Sequence, residues 1–143
     1  VDLTREGRRL VDRIHDRTAR MGVVGLGYVG LPTAVAYADA GFTVIGIDTD
    51  ADRCAAVGEG ESYVEDVAST DLRRARERGR LTALTAVSAA GDLDVMDLCV
   101  HTPLSRIREP DTSAIEAAGE APVSLGSFTP RAKSLVKRSI SPR

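Results

Sequence analysis

The amino-acid sequence predicts an α/β fold, a parallel sheet doubly wound by helices. Two observations carry that expectation. Residues 21–48, MGVVGLGYVGLPTAVAYADAGFTVIGID, read as strand, glycine turn, helix, strand and acid. Beyond them, short β-branched runs continue to alternate with helical stretches as far as residue 100, the pattern of βαβ units.

In chain order, Leu10, Val11 and Ile14 stand at helical spacing among arginines and acids. Residues 1–20 therefore read as an amphipathic helix with a solvated basic face and His15 on its surface. Residues 21–26 form a short run suited to a buried parallel strand. Residues 31–40 are an alanine-rich helix with Gly41 as its stop signal. Residues 42–47 make the second strand, and Asp48 stands at its end. Asp50 is placed to cap a helix over 51–57, ended by Gly58 and Gly60.

Residues 61–67 read as a loop. Ser69, Thr70 and Asp71 open a second helix, whose alternating charges suit solvent and whose stop is Gly79. Residues 81–85 are the third strand, and 86–92 a brief connection. Residues 94–100 are the fourth strand, where Asp97 interrupts the apolar run and must find a partner or water. A charged loop (104–111), a short helix (113–120) and one short candidate strand (123–125) follow.

The expected organisation is an N-terminal helix (1–20), a dinucleotide-binding domain (21–120) and a loose basic tail (121–143). The expected sheet order is 3-2-1-4, incomplete at its C-terminal end. The fourth strand is then an edge, and association with another chain through its unpaired backbone is expected.

Composition narrows the function. The chain has 143 residues, one domain's worth, with three tyrosines, two phenylalanines and no tryptophan. Its core volume must come from aliphatic side chains. A net charge of −2 argues against nucleic-acid or membrane attraction. No apolar run approaches the roughly 18 residues of a membrane span, and no apolar signal core is present, so a cytoplasmic location is expected. Cys54 and Cys99 are widely spaced without nearby metal-ligand partners, and read as reduced, partly buried thiols. Charge is uneven: residues 121–143 carry five basic residues and no acid.

The 21–48 stretch has a specific chemical use. Gly25, Gly27 and Gly30 follow G-x-G-x-x-G spacing. Gly25 permits the tight turn, Gly27 lets the backbone approach a pyrophosphate, and Gly30 lets the helix pack close to the strand. Free amides at the helix start favour an anion there. Asp48, eighteen positions after Gly30, suits the ribose hydroxyls of an adenosine. A purely structural glycine turn is the alternative. Arg53 either reaches back toward ribose or phosphate or is a solvated arginine. Thr102 follows the fourth strand's carboxyl end, where ligands sit in open parallel sheets, and is read as a cofactor contact in preference to a turn threonine. His101 beside it is ambiguous.

GVVGLGYVGLP, GFTVIGID, GESYVEDV, CVHTPL and REPD together resemble the NAD-binding domain of nucleotide-sugar 6-dehydrogenases, the UDP-glucose and GDP-mannose dehydrogenase group. The resemblance runs from about Leu10 to Gly119. GESYVEDV and LVDRIHDRTAR are more similar to the UDP-N-acetyl-hexosamine branch. The resemblance implies a Rossmann-like fold, NAD as cofactor, a nucleotide-sugar substrate and oxidation of a sugar C6 alcohol to a carboxylate. It implies that Tyr28 and Val29 lie along the pyrophosphate, that Asp48 and Arg53 contact the adenosine side, and that Thr102 touches the cofactor near mid-sheet. His101 departs from the family's proline. The family's catalytic cysteine, lysine and asparagine belong to later domains. A fragment without the catalytic domain is therefore expected, with a non-catalytic NAD-binding module as the alternative.

Overall fold

The computed structural model describes residues 4–100 of the chain. Four parallel strands form one sheet: β1 (Arg20–Val24), β2 (Thr43–Ile47), β3 (Leu81–Leu84) and β4 (Val95–Leu98). Their order is β3-β2-β1-β4, as the sequence predicts. The helices are α1 (Arg5–His15), α2 (Gly30–Asp39), α3 (Ala51–Glu59) and α4 (Ser69–Glu77). The sheet and its flanking helices make a Rossmann-like α/β fold.

Alternation along the strands builds two apolar layers. Met21 and Val23, Val44, and Leu81 face a layer shared with Leu31, Ala34, Val35 and Ala38 of α2, Val57 of α3, and Leu72 and Ala75 of α4. Val24, Ile45 and Ile47 face the opposite layer, where Ala90 and Leu93 meet them. Among the described residues, the covering helices α2, α3 and α4 thus share one face. The second face is covered by the segment from Val87 to Leu93, which contains a short 3-10 turn at Val87–Ala89.

Two strand glycines make room for leucines. A Cβ on Gly22 would lie 2.6 Å from Leu93 Cδ1, and one on Gly46 would lie 2.9 Å from both methyls of Leu26. Leu26, fully buried, seats the turn after β1 against β2 in this way.

Several boundaries differ from the sequence expectation. β1 begins at Arg20, which pairs with Thr43, so the strand takes one residue from the segment assigned to the N-terminal helix. Gly58 lies inside α3, and only Gly60, at φ 76°, ends it. A helix tolerates one exposed glycine at a cost of about 1 kcal/mol. Ser69 begins α4 but does not cap it; its hydroxyl instead accepts the Ser62 amide at 3.0 Å. Asp97 finds its partner in the Tyr37 hydroxyl of α2, which donates to it at 3.2 Å.

α1 has no buried residue. It is tied down by polar contacts: Arg13 pairs with Asp94 at 2.5 Å, and Arg17 donates to Ala40 O while its guanidinium lies 5.1 Å from the Phe42 ring centroid. β4 is an edge of the sheet among the described residues. The expectations for 101–120 and for the basic tail, Thr102 and His101 included, lie outside the described residues.

Leu72 is the deepest side chain of α4. Leu72→Ala is expected to destabilise the fold by roughly 2–5 kcal/mol, the cost of a buried cavity. Urea unfolding followed by circular dichroism measures it; a shift below 1 kcal/mol would mean that α4 is not docked as described.

Candidate functional site

The site lies at the carboxyl ends of β1 and β2. β1 ends at Val24, and Gly25 turns the chain at φ 90°, a conformation open to glycine. A Cβ there would meet Cys99 O at 2.5 Å. A Cβ on Gly30 would collide with the carbonyl oxygen of Gly25. These two glycines are required by the fold itself.

Gly27 is different. It does not lie in the left-handed region, and a Cβ there would approach only Arg53 Nη1, at 4.0 Å. The fold leaves open space above it. The amides of Gly27, Tyr28, Val29 and Gly30 have no hydrogen-bond partner among the described residues. No side chain caps α2, whose positive dipole end is therefore open to an anion. Pro32, in the first turn, removes no helical hydrogen bond. Tyr28 (76% exposed) and Val29 (51%) project from the turn into solvent.

Asp48 is the buried acid of this region, 8% exposed. Its Oδ2 accepts the Leu26 amide at 2.7 Å and Arg53 Nη1 at 3.3 Å, and its Oδ1 accepts the Asp50 amide at 2.9 Å. Burial pushes its carboxyl up, but the Asp50 and Leu26 amides and the Arg53 guanidinium together outweigh burial and hold it below its ordinary value. A carboxylate offers about four acceptor positions, so Asp48 retains capacity for a further hydroxyl.

Arg53 folds back onto the acids at the end of β2. Besides Asp48, its Nε lies 3.6 Å from Asp50 Oδ2, and its guanidinium carbon is 5.9 Å from the Tyr63 ring centroid. Gly25, Gly27, Tyr28, Val29, Gly30, Asp48 and Arg53 are thus gathered at one end of the sheet.

Tyr63 joins them unforeseen. It lies in the segment read as a loop and within the GESYVEDV stretch of the family resemblance, with no role given to it, yet its hydroxyl donates to Leu26 O at 2.7 Å. Burial pushes its phenol up to about 12. An isolated tyrosine in an aromatic-poor chain was the signal available.

Both cysteines border the group: the Cys54 thiol donates to Asp48 O at 3.4 Å, and Cys99 lies against Gly25 and Gly30. Burial raises the thiols of both Cys54 and Cys99, and the charge of Asp97 raises Cys99 further. No cluster able to hold a metal ion occurs among the described residues. No helix among them is long and apolar enough to cross a membrane.

A parallel sheet of this order, a glycine turn leading into an uncapped helix, and an acid at the end of β2 define a dinucleotide-binding domain. The family model described as the UDP-glucose/GDP-mannose dehydrogenase family, NAD binding domain, matches residues 19–142. The chain belongs to that family and is its NAD-binding domain. Among curated relatives, the UDP-N-acetyl-D-mannosamine dehydrogenase of Pyrococcus horikoshii is 34% identical over 100 residues, covering 69% of this chain and 24% of the relative. The enzyme of that name from Escherichia coli K12 is 36% identical over 105 residues, covering 72% and 24%. Among solved structures, a ternary complex of GDP-mannose dehydrogenase from Pseudomonas aeruginosa superposes with a TM-score of 0.65 at 34% identity, over 69% of this chain and 23% of that one. The chain therefore spans about a quarter of the length of these relatives.

The depressed Asp48 carboxyl has a stability consequence. Its ordinary value is 3.8 and its folded value is lower, so its contribution is fully present above 3.8 and disappears as pH falls through the folded value. Urea midpoints measured from pH 6 down to pH 2.5 are expected to fall less steeply in Asp48→Asn than in the parent below about pH 4. Parallel curves would mean that the Asp48 bonds contribute nothing to acid sensitivity.

Proposed function

We propose that this chain binds NAD, with the adenosine ribose at Asp48 and the pyrophosphate at the amides of Gly27, Tyr28, Val29 and Gly30. The observation that carries the reading is Gly27: a Cβ there would meet nothing closer than Arg53 Nη1 at 4.0 Å, so the fold has no need of a glycine, and the amides of residues 27–30 beside it in the chain have no partner among the described residues. One ribose hydroxyl takes the remaining acceptor position of Asp48, and a second takes the Oδ2 position where Arg53 moves off it. Arg53 serves the adenosine side, moving off Asp48 Oδ2 or bridging to the nucleotide. Thr102 is proposed as a contact nearer mid-sheet, on the family resemblance alone.

Within the family, this domain would orient NAD for hydride uptake from the C6 alcohol of a nucleotide sugar. A UDP-N-acetyl-hexosamine is the substrate class proposed, supported by the GESYVEDV stretch and by the names of the relatives. The proposed setting is cytoplasmic, supported by the absence of a membrane-spanning helix among the described residues. NAD supplies the hydride acceptor when bound; the residues described here hold and orient it.

Calorimetric titration of the chain with NAD and NADP tests the reading. NAD is expected to bind more tightly. A 2′-phosphate about 4 Å from the Asp48 carboxylate meets a repulsion of about 4 kcal/mol per unit charge at an effective dielectric near 20, before screening. Tighter NADP binding would overturn the assignment of Asp48. In the same assay, Gly27→Val should fold with a near-parental unfolding midpoint and lose NAD. Gly30→Ala should lose stability itself, because its methyl strikes backbone. If Gly27→Val binds NAD as the parent does, the turn is structural only.

A further inference from the structure

The Leu26–Gly27 peptide is held through its own carbonyl and through the peptide on either side. The preceding amide, Leu26 N–H, donates to the buried Asp48 carboxylate at 2.7 Å. The Leu26 side chain is fully buried. The following carbonyl, Gly27 O, accepts Leu31 N at 3.0 Å. Between them, Leu26 O accepts the Tyr63 hydroxyl at 2.7 Å, from a segment 37 residues downstream.

That last bond acts on the peptide plane shared with the Gly27 amide. No cis peptide occurs among the described residues, so the carbonyl of Leu26 and the N–H of Gly27 point in opposite directions. Anchoring the carbonyl aims the amide. Gly27 N–H is without a partner among the described residues.

We propose that Tyr63 is a positioning residue for the cofactor pyrophosphate, holding the Leu26–Gly27 peptide so that the Gly27 amide faces the phosphate oxygens. The proposal rests on the NAD-binding reading above. A fixed donor loses less entropy on binding an anion than one that must first rotate into place. The hydroxyl is suited to the task, since a tyrosine phenol is protonated through the physiological range and donates. Its ring, 5.9 Å from the Arg53 guanidinium carbon, also gives Arg53 a wall. The hydroxyl and the ring are separable by Tyr63→Phe, which removes only the oxygen.

Calorimetry and NMR titration of parent and Tyr63→Phe with NAD, ADP-ribose and adenosine test the proposal. Tyr63→Phe is expected to bind NAD and ADP-ribose about ten-fold more weakly, with adenosine, which lacks the phosphates, unchanged. A loop tether without a positioning role would weaken all three alike or none, and either result overturns the proposal. If the parent itself binds neither NAD nor ADP-ribose, the NAD reading fails first and takes this inference with it. A second measurement needs no variant. In 15N-glycine-labelled parent, the Gly27 amide proton should move downfield as ADP-ribose saturates the site. A Gly27 amide unmoved at saturation overturns the proposal even if Tyr63→Phe does not fold.

Discussion

The hydrogen bond from the Leu26 amide to the Asp48 carboxylate is the constraint on which the site depends. It joins the turn after β1 to the end of β2, 22 residues later. Hydrogen bonds to charged groups contribute roughly 1.5–3 kcal/mol each, and stranding a buried carboxylate costs more. Asp48 therefore has a structural task before any ligand arrives. It fixes the height of the glycine turn relative to the sheet, and α2 starts from that turn. The Asp50 amide and Arg53 complete its shell, so one buried acid organises the turn, the cap of α3 and the only arginine that faces the turn's open glycine, among the described residues.

Packing brings the turn to this position. Leu26 can sit under the turn because Gly46 opposite it lacks a side chain, and Gly22 receives Leu93 in the same way on the other face. Gly25 and Gly30 bring the start of α2 against the end of β1, within reach of Cys99 at the end of β4. Three strand ends and one helix end thus converge on a small volume. The amides of residues 27–30 lie at the start of α2, where an α-helix leaves its first N–H groups without intrahelical acceptors and no side chain caps them, a physical basis for anion binding.

The periphery is held differently. α1 buries no side chain and is anchored through Arg13 and Arg17, at partly exposed positions. Exposed ion pairs contribute about 0–1 kcal/mol. The site is thus built on the well-packed centre of the sheet, and α1 adds little to it. Tyr37 and Asp97 show the same economy on β4, where a charge within an apolar strand is met by one hydroxyl.

Local chemistry alone determined the parallel sheet, its strand order and the Gly25–Asp48 fingerprint. Strand and helix periods, glycine spacing and a terminal acid are short-range properties, written in residues close together in the chain. The order 3-2-1-4 followed because the glycine turn marks β1, the strand beside which the winding reverses in this fold. Tertiary structure alone decided which glycine is structural and which leaves room for a ligand, since that depends on what a Cβ would strike across the fold. It paired Arg53 with Asp48 and Asp50, and it brought Tyr63 to the glycine turn across 37 residues. It also ended α3 at Gly60 and passed Gly58 by, because helix ends are chosen by packing and capping together. Contacts between distant segments leave no periodic trace in a sequence, which is why the tyrosine that holds the turn had no role there beyond its place in a loop and in the GESYVEDV stretch.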